Sequence, residues 1–269
     1  MFSQSNLVRG RVVALGLFIA FAGDVSAQAS TFDLSADFSY TSNPNGAWSF
    51  VYAGSPLSNV GAPLSNGNSG IPTIGSGGYY SSGNNLDQNT PDVIKSVVDG
   101  PSASGAQGTY TLGDFKKGDV IVHSPSDGLP VEIIWTAPSN GTISFTTDLW
   151  YAHTLTGGLV IQRTNVDSVS LGGTVLGSAD VGYLSNTDRS SPWTVTKNSL
   201  SVTAGEQLIV SLQKAPGENY GTLNGVAISG TFNAAGGVPE TSTWAMMLMG
   251  FAGAGLAAYR RNKTVRFPA

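Results

Sequence analysis

The chain has 269 residues and no cysteine, with 13 Lys and Arg against 17 Asp and Glu. The absence of cysteine excludes disulfides, thiolate zinc sites and a cysteine nucleophile. Six of the basic residues lie in the two terminal segments, so residues 28–237 keep seven basic and 15 acidic side chains and a charge near −8. Such an acidic surface argues against nucleic-acid binding, because phosphates require cationic contacts.

The first 27 residues have the features of a secretory signal peptide in the expected order. Arg9 and Arg11 precede an apolar run at 12–22, and residues 25–27 then offer a signal peptidase site. The run is shorter than the ~20 apolar residues that a transmembrane helix needs. We therefore expect export and cleavage by signal peptidase after residue 27, with cleavage after Ala29 as an alternative.

Residues 31–52 are predicted to form an N-terminal β-hairpin. Phe38 and Tyr40 share one face of its first strand, residues 43–46 (Asn-Pro-Asn-Gly) are strong turn formers, and three aromatic residues alternate in the second strand, 48–52. The following segment, up to Asn89, is rich in Gly, Ser, Asn and Pro. We expect loops and few regular strands there.

Alternating apolar residues indicate a series of short strands from Gly118 onward. Turn residues separate them, as at 138–141 and 204–206. Seven or more such strands predict an all-β fold, a jelly-roll or β-sandwich body that occupies residues 28–237. The strands are centred on residues 120–122, 131–135, 143–149, 159–161, 174–176, 200–202, 208–212 and 226–232.

Two stretches of the body resemble elements of extracellular jelly rolls. Residues 133–143 are similar to a strand, Trp-x-Ala-Pro, Gly, strand element, and residues 200–208 to a Val-x-Ala-Gly-Asp hairpin. Related sandwiches include carbohydrate-binding modules and galactose-binding-like domains. The resemblance implies an architecture rather than a ligand, because fold does not determine function.

The body carries few groups suited to catalysis. Asp148 lies near His153, and His123 is the other histidine, but no Gly-x-Ser-x-Gly motif accompanies them. None of the glutamates stands in a stretch typical of glycosidases, where paired carboxylates act. We therefore predict a protein that is not an enzyme, with a secreted glycan-active hydrolase as an alternative. The three glutamates of the body are Glu132, Glu206 and Glu218.

No cofactor is predicted, and calcium is the metal best suited to the residues present. Asp180, Asn186 and Asp188 bring oxygen ligands to one region of the sequence. Hydrogen-bonded turn residues are the favoured alternative for this cluster.

Aromatic residues are the best indication of a ligand, because sugars stack on flat rings. We expect Trp48 and Trp135 to lie in the core. For the remaining candidates, a core position and an exposed glycan-contacting position are equally supported. These candidates are Tyr79, Tyr80, Trp150 and Tyr151.

The last 32 residues, 238–269, form a membrane-directed tail. Residues 244–259 are all apolar, aromatic, Gly or Ala, and a basic cluster follows them, so the positive-inside rule places the end of the chain in the cytoplasm. A short polar motif comes first and consists of Val238, Pro239, Glu240 and Thr241. The helix is bounded by Trp244 and Tyr259, and the basic end starts with Arg260 and Arg261.

This tail resembles a PEP-CTERM sorting signal, which combines a Pro-Glu-Pro-like motif, a short membrane helix and a C-terminal arginine cluster. Thr241 departs from the pattern, because a proline usually stands there. The resemblance implies processing by an exosortase-type membrane protein and an association with exopolysaccharide or biofilm.

We therefore expect an exported surface or extracellular-matrix protein. Its precursor is anchored in the inner membrane, and its mature form is at the cell surface or extracellular. A carbohydrate-binding module protein is the first alternative.

Overall fold

The computed structural model describes residues 29–60, 79–81, 90–97, 99, 114–152, 162–185, 187–235, 248–255 and 259. Residues Ala27–Gly236 form one compact unit, and Met1–Ser26 group separately with Gly237–Ala269. The predicted signal peptide and the motif at 238–241 lie outside the described residues. In the tail, residues 248–255 and Tyr259 are helical. No helix in the described part of the chain is long and apolar enough to cross a membrane.

The described part of the body contains fourteen strands, paired antiparallel, and one short helix. In chain order they are β1 (Ala29–Asp33), α1 (Leu34–Asp37), β2 (Trp48–Tyr52), β3 (Ser55–Pro56), β4 (Ser58–Val60), β5 (Tyr79–Ser81), β6 (Asp92–Lys95), β7 (Val120–His123), β8 (Val131–Thr136), β9 (Gly141–Tyr151), β10 (Thr164–Leu171), β11 (Thr174–Gly182), β12 (Trp193–Val202), β13 (Gln207–Lys214) and β14 (Leu223–Ala234).

These strands make two sheets, which confirms the predicted all-β sandwich. The first sheet has the order β12-β9-β14-β7-β6-β5-β4, and the second has the order β11-β10-β13-β8-β2-β3. Strand β14 pairs with three other strands of the first sheet. Its whole length pairs with β9 on one edge, while β7 and then β1 share the other edge.

Alternation of buried and exposed residues places the core between the sheets. In β9, Ile143, Phe145, Thr147 and Leu149 are buried, and the residues that alternate with them from 142 to 148 are partly exposed. Rings fill one end of this core: Phe32 stacks on Trp135 at 4.9 Å between centroids, and Phe232 lies 5.7 Å from Trp135. Trp48 and Trp135 are both buried, as predicted.

The predicted N-terminal hairpin is wrong. Strand β1 pairs with β14 in the first sheet, whereas β2 pairs with β8 in the second. Between them lies α1, whose first turn is capped because Asp33 Oδ1 accepts a hydrogen bond from Ala36 N at 2.8 Å. Phe38 and Tyr40 lie outside any strand. A turn signal between two apolar segments does not show whether the second segment folds back or joins another sheet.

The predicted hairpin at 200–208 is wrong for the same reason. Strand β12 belongs to the first sheet and β13 to the second, so this turn crosses between the sheets. Glu206 stabilises the crossing, because its Oε2 accepts a hydrogen bond from Thr203 N at 2.9 Å. The predicted strand at 159–161 lies outside the described residues, and the strands β6 and β10 were not predicted.

Candidate functional site

Three of the four aromatic residues proposed to contact glycan are buried. The exposed fractions are 3% for Trp150, 7% for Tyr151 and 0% for Tyr80. Of the two alternatives left open by the sequence, the core position is therefore the correct one for these three residues. The side chain of Tyr79 lies outside the described residues.

Trp150 is buried on the outer face of the first sheet. Its indole Nε1 donates to Asp114 O at 2.6 Å, and it packs with Ile121 and Phe115 in a small second core. The guanidinium of Arg189 lies 5.9 Å from its ring centroid and pairs with Asp119 at 2.7 Å. These contacts explain why Trp150 is shielded from solvent although it lies near the end of β9.

Tyr80 is buried on the inner face of the same sheet, in the main core. Its ring lies 4.9 Å from that of Phe50, and its hydroxyl donates to Ser39 O and Ser42 O at 2.6 and 2.7 Å. The hydroxyl is thus satisfied within the protein, and the residue has a structural role.

Tyr151 is the last residue of β9 and lies next to a partly exposed surface. Burial raises its pKa to about 12, and its hydroxyl is hydrogen-bonded with the Thr222 side chain. The ring of Tyr183 meets it edge-on at 6.5 Å. Tyr151 is therefore next to an exposed aromatic ring, that of Tyr183, but is itself buried.

Three residues near Tyr151 form what we call the tyrosine–arginine surface. They are Arg163, Tyr183 and Tyr220. Tyr183 is 39% exposed and Tyr220 is 37% exposed. The guanidinium carbon of Arg163 lies 4.6 Å from the centroid of the Tyr220 ring, and Tyr183 N donates to Arg163 O at 3.1 Å. The three residues lie just before β10, just after β11 and shortly before β14, so the fold brings them to one end of the sandwich.

Arg163 carries the positive charge of this surface. Its partial burial lowers its pKa, and the nearby Tyr220, Tyr151 and Glu218 oppose this shift. A guanidinium remains charged in proteins even so. One terminal nitrogen, Nη1, donates to Gly221 O at 3.4 Å, and Arg163 forms no salt bridge with any residue that the structure describes. A guanidinium has five donors in a planar fork that matches a carboxylate.

Polar residues fill the core beneath this surface. Asn165 Oδ1 accepts from Ser124 Oγ at 2.6 Å and from Thr222 N at 3.2 Å. Deeper between the sheets, Asn224 Nδ2 donates to Asp167 Oδ2 at 2.7 Å. Asp167 is fully buried, and this burial raises its pKa well above the ordinary value. Hydrogen bonds between the sheets therefore hold this end of the sandwich in place.

The residues considered for calcium are not brought together by the described structure. Asp180 is exposed on β11, and Asp188 Oδ1 accepts from the backbone of Ser190 and Ser191, both at 2.8 Å. Asn186 lies outside the described residues. Within the described ranges, no group of three or more acidic or histidine side chains is arranged to hold a metal ion.

The catalytic candidates serve structural roles where the structure describes them. Asp148 Oδ1 accepts from Thr194 Oγ1 at 2.6 Å, and the buried His123 ring places Nδ1 2.8 Å from Thr90 O. His153 lies outside the described residues. Glutamates 132, 206 and 218 lie in β8, in the β12–β13 turn and after β13, respectively.

The tyrosine–arginine surface was not predicted from the sequence. The predicted aromatic candidates are adjacent pairs, whereas Tyr183 and Tyr220 are single rings, each next to a glycine. Arg163 carries a second signal, because it is one of only seven basic residues in the acidic body.

No family model and no curated protein matches the chain. Among solved structures, an arabinose-bound GH51 α-L-arabinofuranosidase aligns at 12% identity and TM-score 0.28, over 42% of this chain and 19% of that one. A Stig cyclase from Fischerella aligns at 13% identity and TM-score 0.34, over 74% and 91% of the two chains. A carbohydrate-binding module CBM36 in complex with calcium and xylotriose aligns at 16% identity and TM-score 0.22, over 48% and 91%.

None of these alignments reaches a TM-score of 0.5, so the function proposed below rests on the chain's own residues. The chain spans about a fifth of the length of the arabinofuranosidase, 19%.

Proposed function

We propose that this chain is an exported, non-catalytic surface protein that binds an acidic polysaccharide through the tyrosine–arginine surface. The observation that carries the proposal is the position of Arg163, a partly buried cation that lies against the exposed ring of Tyr220 and next to Tyr183.

Each part of this surface matches a part of a uronic acid residue. The apolar C–H face of a sugar ring packs on a tyrosine ring, and the phenol hydroxyls take part in hydrogen bonds with sugar hydroxyls. The carboxylate of the sugar fits the guanidinium fork of Arg163 and gains a charge-assisted pair of hydrogen bonds. Because the body is acidic overall and repels a polyanion, recognition depends on this local contact with Arg163. Partial burial strengthens that pair relative to one in bulk water.

Export and sorting follow from the two terminal segments. Signal peptidase removes residues 1–27, and the tail at 238–269, which resembles a PEP-CTERM signal, anchors the precursor in the inner membrane until an exosortase-type enzyme acts on it. The mature protein then resides at the cell surface or outside the cell, in contact with exopolysaccharide.

Within the body, the tyrosine–arginine surface lies at the opposite end from the start of β1 and the end of β14. Ala29 pairs with Asn233, so the first strand begins where the last strand ends. Tyr220 precedes β14, whereas the tail follows it, and β14 is roughly 40 Å long at about 3.3 Å per residue.

Binding is tested with the purified full-length chain and two polysaccharides, polygalacturonate and neutral dextran. We expect saturable binding to polygalacturonate alone, because dextran lacks the carboxylate. Arg163→Gln should weaken that binding about tenfold or more, which corresponds to ~1.4 kcal/mol, and Tyr220→Ala should weaken it as well. Val175→Ala, an exposed apolar residue near the start of β11, is the matched control and should bind as the parent does.

Equal binding of both polymers, or an Arg163→Gln variant with unchanged affinity, would contradict the proposal. Each titration is repeated with calcium and with a chelator. Binding lost only on chelation would show that calcium bridges the protein to the carboxylates.

Sorting is tested by deletion of residues 238–269 in the cell. We expect the shortened protein to leave the membrane fraction, because the apolar tail is its anchor. Unchanged membrane retention would exclude the tail as the anchor. That result would contradict the sorting part of the proposal and would leave the glycan-binding part to be judged by its own test.

A further inference from the structure

A buried asparagine joins the three chain segments that carry the tyrosine–arginine surface. Asn224 is fully buried near the start of β14. Its Nδ2 donates to Asp167 Oδ2 on β10 at 2.7 Å and to Val181 O on β11 at 3.4 Å. Strand β10 begins directly after Arg163, and Val181 lies two residues before Tyr183. The relative position of the surface residues therefore depends on this one amide.

The pair formed by Asp167 and Asn224 contains two acceptor oxygens that an ionised carboxylate would leave unsatisfied. Both Oδ1 atoms are buried, and neither has a hydrogen-bond partner within the described ranges. The carbonyl of Val181 only accepts, so it fixes which side of the Asn224 amide is the donor. Unsatisfied buried acceptors are costly. A single proton on Asp167 Oδ1 satisfies both atoms, because a carboxylic acid donates one hydrogen bond.

The surroundings of Asp167 favour this neutral form. Burial raises its pKa well above the ordinary value, the hydrogen bond from Asn224 opposes this shift, and the charge of Asp180 on β11 adds to it. Among the residues that the structure describes, Asp180 is the one charged group that acts on it. On β13 the residue opposite is Leu212, and β14 has no ionisable side chain. Tyr151, at the end of β9, stays neutral because burial raises its pKa to about 12.

We propose that Asp167 is a neutral carboxylic acid whose proton, held on Oδ1 and donated to Asn224 Oδ1, positions the tyrosine–arginine surface. Two hydrogen bonds then join β10 to β14. When the proton passes to solvent, one bond is lost, two acceptors are left without a donor between them, and Arg163 loosens relative to Tyr220. The surface is therefore ordered in the protonated protein and weakened in the ionised one. The consequence for binding rests on the polysaccharide function proposed above.

The protonation state is tested without any polysaccharide, by NMR of the full-length chain labelled with ¹³C at the aspartate carboxyl carbons. Asp167→Asn assigns the resonance, because its signal disappears. We expect the chemical shift of a protonated carboxyl near pH 7, whereas the exposed Asp188, whose pKa is lowered by the Ser190 side chain, gives that of a carboxylate. A carboxylate shift for Asp167 would overturn the proposal, whatever the binding results.

The effect on the surface is tested by titration with polygalacturonate between about pH 5 and about pH 9, a range in which uronates stay ionised and tyrosines stay neutral. Affinity should be constant while Asp167 is protonated and should fall about five- to tenfold as the pH rises through its folded-state pKa. The ring resonances of Tyr220 should shift with the same midpoint. These resonances report on the surface even if the polymer does not bind.

Two variants separate positioning from charge. In Asp167→Asn the second amide donates to Asn224 Oδ1 at any pH, so affinity should be retained and the pH profile should be flat. Asp167→Ala removes both bonds and should weaken binding about tenfold at every pH, with its unfolding midpoint measured to detect loss of fold.

Three results would overturn the pH dependence. They are an Asp167 resonance that does not titrate below about pH 9, a Tyr220 resonance that does not follow it, and a binding profile that Asp167→Asn leaves unchanged. The last result would assign the profile to another group, such as the buried His123. Absence of polygalacturonate binding at every pH would instead contradict the proposed function, and the two resonances would still decide the role of Asp167.

Discussion

The two ends of the sandwich close the space between the sheets with different chemistry. At one end, which we call the aromatic end, the rings of Trp48, Trp135 and Phe232 fill it. At the tyrosine–arginine end, buried polar residues such as Asn165 and Asn224 bridge it with hydrogen bonds. Ring packing contributes stability through buried apolar area, whereas a buried polar network adds little net stability but specifies one arrangement. We infer that the first end contributes more to the free energy of unfolding, and that the hydrogen bonds at the second end fix the relative position of the two sheets more closely.

The largest expected effect is at the aromatic end. Trp135→Ala should lower the free energy of unfolding by about 3–5 kcal/mol, because it leaves a cavity between Phe32 and Phe232. Urea unfolding measures this loss. A decrease below about 1 kcal/mol would mean that the rings at this end contribute little, and the comparison between the two ends would fail.

A smaller loss is expected on the outer face of β14, next to the polar network. A Cβ at Gly225 would overlap the Trp150 ring, so Gly225→Ala should cost roughly 1–3 kcal/mol. Ala227→Gly lies on the same strand at an exposed position and should cost only about 0.5–1 kcal/mol. If both variants unfold at the same urea concentration, the contact of Gly225 with Trp150 does not constrain the fold.

Asp167 predicts a pH dependence that is specific to the polar end. Burial raises its pKa in the folded state, whereas in the unfolded chain the carboxyl ionises near pH 3.9. Between these two pKa values the folded state holds one more proton than the unfolded state. Stability contributed by this residue is therefore present below about pH 4 and falls as the pH rises through that interval.

Asp167→Asn should remove that slope and raise the free energy of unfolding at pH 7 by on the order of 1 kcal/mol. The amide cannot ionise, and its NH₂ group is a donor for Asn224 Oδ1, which has no hydrogen-bond partner among the described residues. Urea unfolding at pH 4.5 and pH 7 measures the effect. A variant with the slope of the parent protein would show that another group causes the dependence.

The smallest effect is expected at the tyrosine–arginine surface. Tyr183→Ala should change the free energy of unfolding by about 0.5 kcal/mol or less, since the ring is partly exposed and makes one edge contact with Tyr151. A thermal or urea midpoint shifted as far as that of Trp135→Ala would mean that this ring belongs to the core rather than to a binding surface.

The sequence pattern predicted which residues of a strand face the core. Strand β9 shows this well, because Ile143, Phe145 and Leu149 are buried as their spacing of two requires. The pattern failed at Trp150. Its burial depends on Phe115 and Arg189, which come from distant segments and cover the outer face of the sheet.

What the sequence determined by itself is local: the strands, the turns between them and the face that each strand buries. These follow from backbone geometry and from the period of the side chains. Only the tertiary structure decided which strands pair, because Ala29 and Asn233 meet although nearly the whole body separates them in the chain. Tertiary structure also assembles the tyrosine–arginine surface. Arg163 and Tyr183 flank the paired strands β10 and β11, and Tyr220 joins them from the segment before β14, which belongs to the other sheet.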